Sequence, residues 1–325
     1  MKSKRIEFLD NIKGFAIILV ILGHSYSNVN LLITWLNAFH MPLFFVVSGF
    51  LIASNKKLEY QLSKKIKSII IPYIVFSLLL SIFIGILKYK NNIHQLLIYI
   101  QDVLVKIVTL QGYSVCWFLA CLFVSEIIFI FLLRNTNKFR PCIFILLYAI
   151  SLLLSDKNII YVPILRILMA LFYLYIGYIL KNVKNLKRIN SYIYTFLILI
   201  HIYLCSINGN TAMVSMNLNS KIFYIINSML GILLTWYGFK NYIFKNTKYL
   251  SCFGKNSIII MVTHIVFIEI IKLLDYKLNI GICNLGYLEG IIVTLIVLLL
   301  EIPSIYILNK YFYFFFGKKK QIASE

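Results

Sequence analysis

The chain has 325 residues, 61% of them hydrophobic, and a formal net charge of +21. Soluble domains run near ~45–50% apolar, so the composition excludes an ordinary soluble enzyme, and no stretch is long or polar enough to form a soluble domain beside the apolar ones. Excess basic charge suits nucleic acid, but it also suits the cytoplasmic loops of a membrane protein. The expectation is therefore an all-α, polytopic membrane bundle, a single domain over residues 1–325, with no nucleic-acid partner.

Apolar segments predict about ten spans, at 8–28, 31–53, 68–87, 113–133, 140–155, 159–180, 191–207, 222–240, 256–273 and 286–309. The opening "MKSKRIEFLDNIKGFAIILVILGHSYS" superficially resembles a signal peptide. No small-x-small cleavage site follows it, and further spans come directly after, so it is expected to remain as the first helix. Of the 32 Lys and Arg residues, 24 fall at the two ends and in alternate loops on one side, 7 fall on the other side, and Arg166 lies within a span. That bias predicts both termini in the cytoplasm and accounts for the net charge. The basic loops would also attract anionic lipid or a polyphosphate.

The first span carries a polar line. Lys13 and His24 are eleven residues apart, which at ~100° per residue is three turns plus about 20°, so both lie on one helix face about 16.5 Å apart. Asp10 and Asn28 extend the stripe. Such a line faces a bundle interior or a wet cavity rather than lipid. Lys13, near the cytoplasmic interface, suits an anion such as phosphate. It equally suits a lysine that snorkels to the interface. His24, deeper and in the outer half, suits either catalysis or a structural hydrogen bond to a neighbouring helix.

The second span, "FHMPLFFVVSGFL", brings His40, Pro42, Ser48 and Gly49. The short turn between the first two spans makes them antiparallel neighbours, with His24 and His40 at similar depth within roughly two turns. Pro42 is expected to loosen the helix there, with Ser48 re-satisfying part of the freed backbone. The connection from Tyr89 to Ser114 is part apolar and carries His94, Gln95, Gln101, Asp102 and Lys106. It reads as an outer amphipathic helix, either a lid or a surface-lying segment. Later spans hold Glu126, Arg166, His264, Glu269 and Glu301, and one glutamate is expected to pair with Arg166 or to support a histidine. The six cysteines are scattered, without CxxC or Cys/His metal spacing, and are expected to be small buried hydrophobes, with no metal site. No internal repeat is strong enough to indicate an inverted-repeat transporter.

Taken in order, these motifs resemble the acyltransferase 3 family of integral membrane O-acyltransferases. "RIEFLDNIKGFAIILVILGHS" is similar to the family's opening, with Asp10, Lys13, Gly14 and His24 in place. "FHMPLFFVVSGFLI" is similar to its second motif. "WFLACLFVSEII" resembles the branch related to fucose 4-O-acetylases. "LFYLYIGYIL" supplies Gly177, and "FGKNSIIIMVTH" supplies Gly254, Lys255, Ser257 and His264. There are two departures. Lys13 stands where arginine is more frequent, which keeps charge but loses the planar fork, and Ser68 stands where another cation is expected before Pro72. Many relatives also carry an extracellular esterase-like domain, so any such partner enzyme is expected to be separate or unnecessary.

The resemblance implies transfer of an acyl group, foremost acetyl, from cytoplasmic acetyl-CoA to a hydroxyl of a cell-surface or lipid-linked carbohydrate, in the plasma membrane. It implies His24 and His40 as catalytic residues, with His24 as general base or transient acyl carrier. Asp10, Lys13, Lys65 and Lys67 would serve the donor. Ser48, Glu126, Arg166 and His264 would support the site, with His40, Arg166 or a backbone dipole facing the oxyanion. A homo-oligomer is compatible with this pattern, as are membrane lipids as partners. The rival readings are a glycan transporter or flippase without covalent chemistry, and a glycan polymerase, which usually has larger outer loops.

Overall fold

The computed structural model describes residues 7–53, 57–89, 92–136, 139–156, 161–183, 189–241 and 248–318. The cationic residues Lys2, Lys4, Arg5, Lys56, Lys90, Lys138, Lys157, Lys184, Lys187, Arg188, Lys245, Lys319 and Lys320, counted above for sidedness, lie outside the described residues, as do the first two residues of the 159–180 span. The described residues are helical throughout, and the one β-bridge among them is the isolated pair Ala212 and Asn217.

Fourteen α-helices follow in order: α1 (Glu7–Ser25), α2 (Leu31–Asn37), α3 (His40–Leu51), α4 (Leu58–Lys65), α5 (Ile71–Tyr89), α6 (Ile93–Val108), α7 (Trp117–Asn135), α8 (Arg140–Leu154), α9 (Val162–Leu180), α10 (Ser191–Asn208), α11 (Lys221–Asn241), α12 (Lys248–Lys255), α13 (Ser257–Leu278) and α14 (Tyr287–Tyr311). Among the described residues, nine helical stretches are long and apolar enough to cross a membrane, and α8 is a shorter apolar tenth of 15 residues. The protein is thus a polytopic helical bundle.

The first helix is an integral, central element. It packs against α3, α11, α12, α13 and α14, and Ile12, Ile17 and Ile21 on it are fully buried. The short α12 crosses it very closely. A methyl group added at Gly14 would collide with the Leu250 carbonyl, and one added at Gly254 with the Asp10 carbonyl. Helices in lipid gain little from the hydrophobic effect against each other, so close backbone approach at small residues is what holds such crossings. Gly49 and Gly177 allow the same approach between α3 and α9.

The expected single helix over 31–53 is two helices. α2 stops at Asn37, Phe39 leaves helical geometry, and α3 starts at His40. Pro42 explains the break, because its ring would clash with the carbonyl four residues back, at Ala38. Once α3 begins at His40, Pro42 sits in a first turn, where a missing N–H costs nothing. Ser48 is therefore not needed for the backbone and goes elsewhere. The third span also departs from a plain helix. Leu58–Tyr89 forms one long stretch whose middle, Ile66–Ile70, is π-helical. Pro72 follows two residues after Ile70, and with no N–H to offer Ser68 it favours a widened turn there.

The outer connection forms α6, which folds back antiparallel along α5. Leu96 and Tyr99 pack at Gly85, and near the other end the Tyr73 hydroxyl donates to the Ile107 carbonyl at 3.0 Å. The chain after α6 turns inward. Gln111 reaches Arg166, and Val115 and Trp117 arrive at an interior cavity. Of the six cysteines, Cys116, Cys121 and Cys205 are buried, whereas Cys142 and Cys252 are exposed and Cys283 is half-buried. The buried expectation fails for those three because they sit at the outward-facing side or the ends of their helices.

Candidate active site

Two polar chambers lie along α1. The first is at its N-terminal end, beside Lys13. A cavity of about 190 Å³ is lined by Lys13, Ser48, Phe118, Lys255, Phe316 and Lys318, among others. An adjoining cavity of about 280 Å³ is lined by Tyr60, Lys64, Lys65, Ser68 and Glu126. The two share Ser48, Leu51, Leu122 and Ile258. Five lysines from four separate parts of the chain thus converge on one face.

The carboxylates here are committed to lysines. Asp10, buried at 3% exposure, lies 2.8 Å from the Lys13 ammonium. Glu126 on α7, also buried, lies 2.6 Å from Lys65 and accepts the Ser48 hydroxyl as well. A lone charge at the centre of a bilayer helix costs ~2.5–3.5 kcal/mol even on the lenient insertion scale. Pairing offsets that cost, and the rest of each lysine remains available to the chamber.

The second chamber, about 180 Å³, lies toward the C-terminal end of α1. It is lined by Gly23, His24, Asn37, His40, Trp117, Thr211 and Met213, among others. His24 is exposed to this space, and among the described residues no hydrogen bond restrains its ring. His40 is different. Its Nδ1 lies 2.6 Å from the Leu36 carbonyl, and a carbonyl only accepts. The proton must therefore sit on Nδ1, which leaves Nε2 as the basic atom. The break before α3 makes this bond possible, since it puts His40 at a helix start directly after α2. His264 on α13 is fully buried, and its Nδ1 donates to the Ile260 carbonyl at 2.8 Å. Its Nε2 has no hydrogen-bond partner among the described residues, and its ring centroid is 5.4 Å from that of His24. Three imidazoles from α1, α3 and α13 are therefore gathered at one depth.

Met261, buried at 3% exposure, lines both the first and the second chamber. It lies one turn before His264 on α13. Met261 is the lining residue that the two chambers share.

The remaining expected residues fall as follows. Lys65 lines the lysine-rich cavity beside Glu126, but Lys67 does not; its backbone lies against Gly317, and Lys64 lines the cavity instead. Arg166 pairs with no glutamate among the described residues. Its Nη1 donates to the Gln111 carbonyl at 3.0 Å, and its guanidinium stacks 5.1 Å from the Trp117 ring. The expected glutamate–arginine pair fails on depth. Arg166 lies one turn into α9 from its outer end, whereas Glu126 is nine residues down α7 from Trp117. Glu301 instead takes the Thr263 hydroxyl at 2.7 Å. Asn28 lies beyond the end of α1 and borders an outer groove rather than continuing the stripe.

The family model described as an acyltransferase domain matches residues 6–317. The chain belongs to the acyltransferase 3 family. No curated protein and no solved structure matches it. As a multi-pass membrane acyltransferase, it must bring an activated acyl group and a nucleophile to one place. The histidine-lined chamber and the lysine-lined chamber both border its central helix. Sequence reasoning assigned no site role to Lys64, Lys255, Asn256, Lys318, Trp117 or Met261, although Trp117 opens the "WFLACLFVSEII" segment and Lys255, Asn256 and Met261 lie in the "FGKNSIIIMVTH" segment, both of which resemble the family.

Proposed function

We propose that this acyltransferase moves an acyl group, foremost acetyl, from cytoplasmic acyl-CoA to a hydroxyl of a cell-surface or lipid-linked carbohydrate at the plasma membrane. The observation that carries the reading is the pair of chambers on α1, lysine-rich at the cytoplasmic end and histidine-lined beyond Met261. The donor's phosphates sit among Lys13, Lys65 and their neighbours. Its thioester arm passes Met261, whose unbranched thioether side chain adapts readily. The thioester carbonyl then lies in the histidine chamber.

His24 takes the proton of the acceptor hydroxyl as that oxygen forms its bond to the acyl carbon. The carbon–sulfur bond breaks, and the imidazolium returns the proton to the departing thiolate. His264 and His40 confine and orient His24. His40 presents its unprotonated Nε2, so it supports proton transfer rather than donating to an oxyanion. Asn37 and Thr211 line the same space and can donate hydrogen bonds there.

The test is transfer of labelled acetyl from acetyl-CoA to a membrane glycan extract by the purified protein in lipid, wild type against His24→Ala. The expected result is transfer by the wild type and its loss in a folded variant. Equal transfer by both would remove His24 from the chemistry. No thioester consumption with any glycan would overturn the acyl-CoA reading and favour glycan movement without covalent chemistry.

A further inference from the structure

Another polar space opens beyond the C-terminal end of α1, beside the start of α14. It is a groove of about 440 Å³ lined by Tyr26, Asn28, Asn284, Tyr287 and Glu289, among others. Its two walls are tied together. The Tyr26 hydroxyl donates to the Tyr287 carbonyl at 2.8 Å, and the Ser27 hydroxyl donates to Glu289 Oε1 at 2.5 Å. The Tyr26 ring fills the space beside Gly290, where an added methyl group would strike it. The turn between α13 and α14 is held as well, because the Asp275 carboxylate accepts the Ile282 and Cys283 N–H groups at 2.7 and 3.0 Å. The groove is thus formed before any ligand arrives, which lowers the ordering cost of binding.

We propose that this groove is the acceptor subsite, in which Glu289, Asn28 and Asn284 hold the hydroxyls of one sugar unit against the Tyr287 ring. The inference rests on the carbohydrate reading above and assigns that acceptor a place. Glu289 is the central observation. It is 3% exposed, yet it lines the groove, and among the described residues its carboxylate takes one hydrogen bond, from Ser27, and pairs with no cation. A carboxylate has two oxygens and about four acceptor sites. Burial without further partners is costly, so Glu289 favours a ligand that brings hydroxyl donors into the groove. The Asn28 and Asn284 side chains are exposed and make no hydrogen bond among the described residues, so each offers both donors and an acceptor. Sugar hydroxyls donate and accept, and match that mixture. A phosphate does not, because no lysine or arginine lines the groove. A metal ion does not either, since no group of three His, Cys, Asp or Glu residues among the described ones suits it. The Tyr287 ring, 65% exposed, offers an apolar face to the C–H side of a sugar. Asn28 is four residues from His24, hence at most ~14 Å away along an extended chain, so a saccharide held here lies close to the histidine chamber.

The experiment is steady-state transfer of labelled acetyl from acetyl-CoA by the full chain in lipid nanodiscs, with a membrane glycan extract titrated as acceptor. Wild type is compared with Glu289→Gln, Asn284→Ala and the control Lys277→Gln, an exposed residue of α13 outside the groove. Glu289→Gln is expected to raise the acceptor KM about tenfold, as for loss of one charge-assisted hydrogen bond. Asn284→Ala removes no side-chain hydrogen bond of the described fold and is expected to raise it about threefold. In both variants kcat and the donor KM stay at the wild-type values, and the control matches wild type throughout. An unchanged acceptor KM in both variants would overturn the inference while leaving the carbohydrate reading intact. So would donor and acceptor KM rising equally, or a fall in kcat alone, since either marks a merely structural role. A wild type that transfers to no glycan would overturn the carbohydrate reading and the subsite with it.

Discussion

The two ends of α1 are built on different principles. At the N-terminal end, five lysines on long flexible stems come from α1, α4, α12 and the C-terminal turn after α14. At the other end, His40 and His264 are fixed by hydrogen bonds to their own backbone neighbourhoods, and His24 stands between them without such a bond. Binding of a multiply charged group tolerates movable cations, because charge attraction falls slowly with distance. Proton transfer does not, because it needs heavy atoms within hydrogen-bond reach. The lysine end is thus suited to capture and the histidine end to chemistry.

The largest effect that tests this division is the split between kcat and KM. His24→Ala is expected to lower kcat by about 10²–10⁴-fold with donor affinity retained, the span seen for general acid–base groups. Lys13→Ala is expected to raise the donor KM about tenfold with kcat little changed. Steady-state kinetics with labelled acyl-CoA measures both, and the reverse pattern would erase the distinction between the two ends.

A smaller effect is expected at the separating side chain. Met261→Trp fills the space shared by the chambers, so transfer should fall about tenfold or more while CoA still binds. If the variant lost CoA binding and transfer together, Met261 would belong to the lysine end alone. Next comes the α1–α12 crossing. Gly254→Ala forces the two backbones apart, at a cost of about 1–3 kcal/mol typical of overpacking. Thermal unfolding in detergent should show a lowered Tm, and donor affinity should drop, since Lys255 is the next residue. An unchanged Tm would mean that α12 yields without strain.

The smallest effect is expected far from both chambers. Asp156, fully exposed on the outer side, lies 2.6 Å from Lys221, and that ammonium holds its carboxyl below the usual aspartate range. A depressed carboxyl contributes above its unfolded value, near ~3.9, and the contribution is lost as pH falls through the lowered folded value. Asp156→Asn should therefore leave Tm almost unchanged at neutral pH, as exposed ion pairs contribute little. Any difference from wild type should shrink as the medium is acidified below the ordinary aspartate range. A Tm loss that persisted there would point to a role other than charge.

The shared face of Lys13 and His24 was legible because helical periodicity alone fixes it. The Lys65–Glu126–Ser48 cluster was not, although each member was singled out. Its partners lie on α3, α4 and α7, and nothing local encodes which helix faces which. Arg166 shows the same limit: its charge suggested a glutamate, but its depth gave it a backbone carbonyl and the Trp117 ring instead.

By itself, the sequence determined the membrane-spanning class, most span positions and the polar line of α1. These follow from residue-by-residue transfer between water and hydrocarbon and from the 3.6-residue helical repeat, which are local properties of the chain. Only the tertiary structure decided that α2 and α3 part at Phe39, that His264 joins His24, that Met261 borders both chambers, and that the C-terminal turn closes back on Asn256. Those outcomes depend on which helices approach closely enough to pack, and that is set by glycine contacts and buried charge pairs between segments far apart in the chain.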